Sequence, residues 1–164
     1  VMLSGESAAG KYPVETVRVM AEVVQETERH IDYVKLFRQN EFKIQNRVDA
    51  ISHATCGMAI DIGAKAIVVC SRSGITVRMV SRFRAPTDIL GMATNKRVWY
   101  KLALSWGVLP VLSEQFNSTD VLFYHALRAA KEHFALKKGD AVVMTGGNTN
   151  GKSGNTNIIK IENA

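Results

Sequence analysis

The stretch Ala66-Ile67-Val68-Val69-Cys70-Ser71-Arg72-Ser73-Gly74-Ile75-Thr76 decides the fold. Its first five residues are a continuous apolar run rich in β-branched side chains, the pattern of a strand buried on both faces of a parallel sheet. Small polar residues follow at once, and a helix-like segment runs over Thr76–Phe83. Downstream the alternation repeats, with a strand at Asp88–Ala93, a helix at Asn95–Ala103 and a strand at Val108–Leu112. A helix at Asp120–Phe134 has Ser118 or Asn117 as its expected N-cap. The turn Lys138-Gly139-Asp140 then leads to a strand at Ala141–Thr145 and, after a Gly/Asn/Ser/Thr loop, to a final strand at Asn157–Ile161. Strand and helix in alternation predict an α/β three-layer sandwich. Its five-stranded sheet is expected to be mostly parallel, with helices on both faces and an antiparallel last strand.

Upstream of that core, Ile44, Val48, Ile51, Thr55, Met58 and Ile62 form one helical stripe, and Val14, Val17, Ala21 and Val24 form another. Residues 13–30 therefore read as an amphipathic helix, opened by Pro13 where its missing N–H costs nothing. Residues 31–41 are mixed and charged and read as a linker, and Ser4 to Tyr12 reads as a small-residue loop. The chain opens on Val1-Met2-Leu3, an apolar run already in progress, as a strand cut in its middle would be. A piece of a longer protein is expected.

The 164 residues are 46 % hydrophobic and 22 % charged, a composition that builds a core and excludes disordered and collagen-like chains. No apolar run approaches the roughly 18 residues of a membrane span, and no charged-then-apolar leader opens the chain. A soluble, cytoplasmic protein is expected. Cys56 and Cys70 match no metal or redox spacing and read as buried thiols. His30, His53, His125 and His133 show no metal-ligand spacing, Glu15, Glu22, Glu26 and Glu28 read as a solvated helix face, and no nucleophilic triad or paired acid can be argued.

The net charge of +6 is uneven. Residues 1–50 hold 7 Lys and Arg against 8 Asp and Glu, whereas residues 51–164 hold 14 against 7. Lys65, Arg72, Arg78, Arg82, Arg84, Lys96, Arg97 and Lys101 crowd one stretch with Asp88 as its single anion. Such a cluster concentrates anionic ligands. A solvated face and a small phosphorylated ligand are both compatible with it; nucleic acid is disfavoured, because no recognition motif or stacking pattern accompanies the charge.

Two small-residue loops carry the chemistry. Ser71–Thr76 leaves a buried strand and opens a helix, where backbone N–H groups and the positive helix end bind phosphate. Gly146 to Thr156 leaves the fourth strand. If the sheet order reverses between the first and fourth strands, both loops border one crevice. The alternative is a pair of ordinary tight turns. Gly146-Gly147-Asn148-Thr149-Asn150-Gly151-Lys152-Ser153 also satisfies the nucleotide-binding pattern G-x-x-x-x-G-K-[ST]. That pattern requires a helix after it, and the residues after Ser153 read as a strand, so an NTPase is rejected. Lys152 can still act as a point charge beside an anion nested on the loop.

The sequence Val1-Met2-Leu3-Ser4-Gly5-Glu6-Ser7-Ala8-Ala9-Gly10-Lys11-Tyr12-Pro13 resembles the last strand and loop of the pyruvate kinase barrel, usually V-M-L-S-G-E-T-A-x-G-x-Y-P. The stretch Ser71–Pro86 agrees with that family, as do Trp106–Pro110, Lys138–Asp140 and Ser153–Asn157, all in the correct order. The resemblance implies that residues 1–37 are the truncated final βα unit of a TIM barrel, and 38–164 the C-terminal effector and assembly domain of a homotetramer. It implies transfer of phosphate from phosphoenolpyruvate to ADP by the whole enzyme, with Mg or Mn and K⁺, by residues upstream of Val1. Only Ser4, Gly5 and Glu6 would lie on the active-site rim, and the piece alone would be inactive. The loop matching Ser71, Arg72, Ser73, Gly74 and Thr76 would cradle an effector phosphate, and Lys152, Ser153, Gly154, Asn155 and Thr156 would close over it. Ser7 departs from the usual Thr. Gln115–Leu122 lacks the Trp and Arg of bisphosphate-activated members, which leaves AMP, a sugar monophosphate or no regulation. The alternative reading is an assembly module with a vestigial pocket, its last strand pairing across a two-fold axis.

Overall fold

The computed structural model describes residues 1–148 and 155–164. The chain divides into two compact units, Val1–Asp32 and Tyr33–Ala164.

In the first unit the expected loop contains a short helix α1 (Gly5–Ala8), with Ser4 at its N-cap position. Helix α2 (Pro13–Arg29) follows with its proline in the first turn, as the sequence predicts. Val14, Val17, Val19 and Val23 are exposed. Val1–Leu3 form no strand, contrary to the sequence reading. A strand exists only by hydrogen-bonding a neighbour, and among the described residues none pairs with these three.

The second unit opens on helix α3 (Tyr33–Gln39), where the sequence reading has a linker. Its charges mask one anchoring residue. Phe37 is buried and packs its ring against Phe42 at 5.6 Å and His53 at 4.8 Å. Tertiary packing of that single aromatic outweighs a weak local pattern. Helix α4 (Arg47–Asp61) starts at Asn46, whose side chain accepts the Asp49 N–H at 3.0 Å.

The sheet comprises β1 (Ala66–Cys70), β2 (Ile89–Ala93), β3 (Val108–Leu112), β4 (Ala141–Gly147) and β5 (Thr156–Asn163). Its order is β3-β2-β1-β4-β5, with the first four strands parallel and β5 antiparallel to β4. Val68 lies between Leu90 and Met144, and Thr145 pairs with Ile159. Helices α5 (Ile75–Arg82), α6 (Lys96–Leu102) and α7 (Thr119–His133) connect the parallel strands. β1 and β2 are buried at every position, and each Val, Ile or Leu so removed from water contributes roughly 1.5–3 kcal/mol. Successive strand residues serve opposite layers. Ile67, Val69 and Ile89 join Val77, Val80 and Phe83 of the α4–α5 layer. Val68, Leu90, Val142 and Met144 join Phe123, Ala126 and Ala130 of α7. The architecture is the three-layer α/β sandwich that the sequence predicts. Among the described residues no helix is long and apolar enough to cross a membrane.

Candidate functional site

Because β2 and β4 flank β1 on opposite sides, the chain leaves the carboxyl end of β1 in one direction and that of β4 in the other. A crevice opens at such a junction. Here it is a small open cleft with a cavity volume of about 90 Å³. Ser71, Arg72, Ser73 and Thr76 form one side, and Gly147, Asn148, Asn155 and Thr156 another. The two loops that the sequence picks out therefore border one crevice.

The loop after β1 is shaped to present a helix end. Gly74 caps α5 with φ +75° in the left-handed region, which a side chain adopts only at a cost. Its N–H donates to the Ser71 hydroxyl at 3.1 Å, which holds the turn. The first-turn N–H groups of α5, Thr76 and Val77 among them, have no acceptor within the helix. Beside them the Thr76 and Thr156 hydroxyls meet at 2.6 Å, both buried. This bond ties α5 to β5, so the N-terminal end of the helix and the start of β5 are braced together. Cys70 lies on the cleft floor with Sγ 3.8 Å from Met92 Sδ. Burial pushes its thiol up to about 12, so it stays protonated and is no nucleophile at neutral pH.

Of the far wall the sequence reading names only the stretch Gln115–Leu122, for the Trp and Arg it lacks. Thr94 follows β2 directly, and Ser113, Glu114, Gln115 and Phe116 follow β3. The signal that finds them is position alone: ligand crevices lie outside the carboxyl ends of parallel strands. Phe116 stacks on His125 with centroids 4.4 Å apart and planes at 11°. Among the described lining residues are hydroxyls, amides, the Arg72 guanidinium and the Glu114 carboxylate, and no histidine. That set can offer hydrogen-bond donors to an anionic ligand.

The basic cluster does not converge on this cleft. Of its eight cations only Arg72 lines it. Helix α5 runs back along β1, so Arg82 and Arg84 lie at its far end. There Arg82 sits 3.8 Å from Asp49, and Arg84 lies over the Trp106 ring. Spacing along a chain does not survive a reversal of direction every ten residues.

Lys152, Ser153 and Gly154, and with them most of the P-loop-like string, lie outside the described residues. The segment beyond them is the strand β5 and not a helix, consistent with rejecting an NTPase. Ser4, Gly5 and Glu6 share one exposed turn in the first unit, where the Ser4 hydroxyl donates to Glu6 Oε2 at 3.2 Å. The Glu6 carboxyl is held below the usual carboxylate range, first by its own backbone N–H and then by Ser4. Among the described residues no group of three or more His, Cys, Asp or Glu could hold a metal ion.

A family model for the pyruvate kinase alpha/beta domain matches residues 49–162. The chain is 41 % identical over 165 residues to a pyruvate kinase of Clostridium acetobutylicum, covering 99 % of this chain and 34 % of that protein. It is 38 % identical over 164 residues to a pyruvate kinase of Lactobacillus delbrueckii subsp. bulgaricus, covering 98 % and 28 %. The crystal structure of a pyruvate kinase from Cryptosporidium parvum superposes with a TM-score of 0.83 at 29 % identity, over 99 % of this chain and 32 % of that one. The chain thus spans about a third of the length of the relatives it matches. It belongs to the pyruvate kinase family and corresponds to the C-terminal portion of such an enzyme.

Proposed function

We propose that the cleft is a regulatory site for a phosphorylated small molecule, within an enzyme that transfers phosphate from phosphoenolpyruvate to ADP in the cytoplasm. The observation that carries this reading is the capped N-terminus of α5 opening on the cleft, with Ser71, Arg72, Ser73, Gly74 and Thr76 at its mouth. Backbone N–H groups and the helix dipole take the phosphate, the hydroxyls of Ser71 and Ser73 add donors, and Arg72 adds charge. Asn155 and Thr156 approach from the β5 side; Lys152, Ser153 and Gly154, assigned to the same effector loop, lie outside the described residues. In this reading residues 1–37 end the catalytic barrel and carry the rim residues Ser4, Gly5 and Glu6, and residues 38–164 form the effector domain. The phosphoryl-transfer machinery lies upstream of Val1, so the 164 residues alone are inactive. In this reading Mg or Mn and K⁺ serve the whole enzyme through residues of the upstream part.

The test is a thermal-shift panel of fructose 1,6-bisphosphate, AMP, ribose 5-phosphate, glucose 6-phosphate and inorganic phosphate, with Ser73→Asp as control. A ligand at about 100 times its Kd stabilises by roughly 2.7 kcal/mol, a rise of roughly 5–10 °C for a chain of this size. A shift that Ser73→Asp abolishes supports the site; no shift with any phosphate ester refutes it. Turnover by the 164 residues alone in a lactate-dehydrogenase-coupled assay would contradict the predicted inactivity.

A second reading, assembly with a vestigial pocket, is favoured by the open outer edge of β5, the last strand of the sheet, where Ile161 is exposed. An unpaired edge invites a second copy, as a homotetramer would require. Sedimentation that finds a stable oligomer indifferent to every phosphate ester would support this reading over the first.

A further inference from the structure

Cys70 and Met92 are register partners on β1 and β2. Their side chains leave the sheet on the same face, and both join the α7 layer. The thiol donates to the thioether across 3.8 Å, and both residues line the floor of the cleft. Cys70 keeps 8 % of its surface in solvent and Met92 4 %, which leaves a narrow path to the pair from the cleft. On the other flank of Cys70 stands Gly146, where a Cβ would come 3.4 Å from the Cys70 Cβ. No side chain of that strand residue covers the thiol. Phe123 of α7 reaches the same place, with Cζ 3.6 Å from that Cβ position, and makes the surroundings apolar.

A thiol beside a thioether is a soft donor pair, and soft sulfur ligands suit Cu(I). With metal–sulfur bonds of roughly 2.3 Å, the 3.8 Å between the sulfurs subtends about 110° at a shared ion. That is the angle of a three- or four-coordinate ion, so the sulfurs already stand at the separation that one ion between them requires. One thiolate and one neutral thioether around a monovalent ion make a neutral unit, whereas a divalent ion would bury a net charge in an apolar site. Zn²⁺ in a structural site also needs four ligands, and among the described residues no group of three or more His, Cys, Asp or Glu could hold a metal ion. We propose that Cys70 and Met92 bind one Cu(I) ion at the floor of the cleft, with its remaining coordination open to solvent. On binding, the thiol S–H bond breaks, a copper–sulfur bond forms and the proton leaves to solvent, because a coordinating thiol is deprotonated outright. The thioether adds a lone pair, and no electron changes hands. Neither ligand belongs to the anion loop, so the proposal is independent of the phosphate-site reading.

Titration of the intact protein with Cu(I) in reducing buffer, in competition with a chromophoric Cu(I) chelator, tests it in wild type, Cys70→Ala, Met92→Leu and Cys56→Ala. Copper-edge X-ray absorption of the loaded wild type counts the sulfur neighbours directly. One ion per chain with two sulfur neighbours is expected. Cys70→Ala should abolish binding. Met92→Leu keeps the volume of the side chain and should weaken binding by about tenfold or more, since losing even an outer partner of a metal ligand costs that much. Cys56 is fully buried and directs its thiol to the Val80 carbonyl at 3.6 Å, so Cys56→Ala should bind as wild type does. If wild type yields all its Cu(I) to the chelator, or the bound ion shows a single sulfur neighbour, the proposal is wrong whatever the variants do. Undiminished binding in Met92→Leu, or loss of the ion in Cys56→Ala, would equally overturn it.

Discussion

Replacing Gly74 with alanine tests the account of the anion loop through stability alone. Gly74 holds φ +75°, and a Cβ there would stand 2.8 Å from Val98 Cγ1 and 3.2 Å from Leu102 Cδ2. The left-handed conformation costs a side chain about 1–2 kcal/mol, and forcing a methyl into a packed layer adds about 1–3 kcal/mol. Alanine also narrows the unfolded ensemble, which returns about 0.4–1 kcal/mol. The expected net loss is about 2–3 kcal/mol, since the three terms partly cancel. Gly63 is the control for the first term, because it has φ +62° and nothing within 4 Å of the place a methyl would take. Gly63→Ala should therefore cost about 1 kcal/mol or less. Gly57, inside α4 with only Phe37 Cε1 at 3.9 Å, should instead be stabilised by alanine by about 0.5–1 kcal/mol. Urea unfolding with a shared m-value measures all three. If Gly74→Ala costs no more than Gly63→Ala, the contact with α6 is not what shapes the loop and the reasoning fails.

Thr76→Val and Thr156→Val should each cost about 1–3 kcal/mol by stranding a buried hydroxyl. The double variant should cost less than their sum, and strict additivity in a double-mutant cycle would show that the two do not bond. Asn95 caps α6 by accepting the Val98 N–H at 2.9 Å, so Asn95→Ala should lower stability by about 1 kcal/mol in the same unfolding assay, with no loss disproving the cap. Burial raises the Cys56 and Cys70 thiols from 9 to about 12, so the unfolded chain ionises them first. Their contribution is intact below pH 9 and declines as pH rises toward 12, by up to about 1.4 kcal/mol per pH unit for each thiol. Urea midpoints at about pH 8 and about pH 10, against a Cys56→Ala, Cys70→Ala double variant, isolate that slope.

The sheet is legible where one element has only one possible reading. Ala66–Cys70 and Val108–Leu112 carry β-branched apolar runs between small residues, and both strands end where the sequence reading ends them. Reversal of strand order between β1 and β4, the condition for a shared crevice, follows from packing helices on both faces of a parallel sheet. What stays hidden depends on partners distant in the chain. Helix α3 is held by Phe37 against the nearby Phe42 and against His53 and Phe83, and the last two contacts lie outside any local window. Val1–Leu3 are apolar enough for a strand, yet apolarity does not provide a neighbour to pair with. Ser118 stands at the N-cap of α7 as expected, but its side chain makes no capping bond. Half of the cleft is visible because a loop between strand and helix has its own composition. The other half, from Thr94 to Phe116, shares only its position at strand ends, and the charge cluster misleads because seven of its eight members do not line the cleft.

The central place of β1 also sets an order of events during synthesis. Its pairs with β2 lie about twenty residues away in sequence, whereas Val68 must wait for Met144 on the other side. As the chain leaves the ribosome from its amino end, β1, β2 and β3 with α5 and α6 can assemble first. Until β4 emerges, the second edge of β1 is an uncharged run of β-branched residues with its N–H and C=O groups unpaired. Such an edge is a template for pairing with the wrong chain. The junction that opens the cleft is therefore also the last of the parallel seams to close, and this edge of β1 stays exposed to aggregation until residues 141–147 arrive.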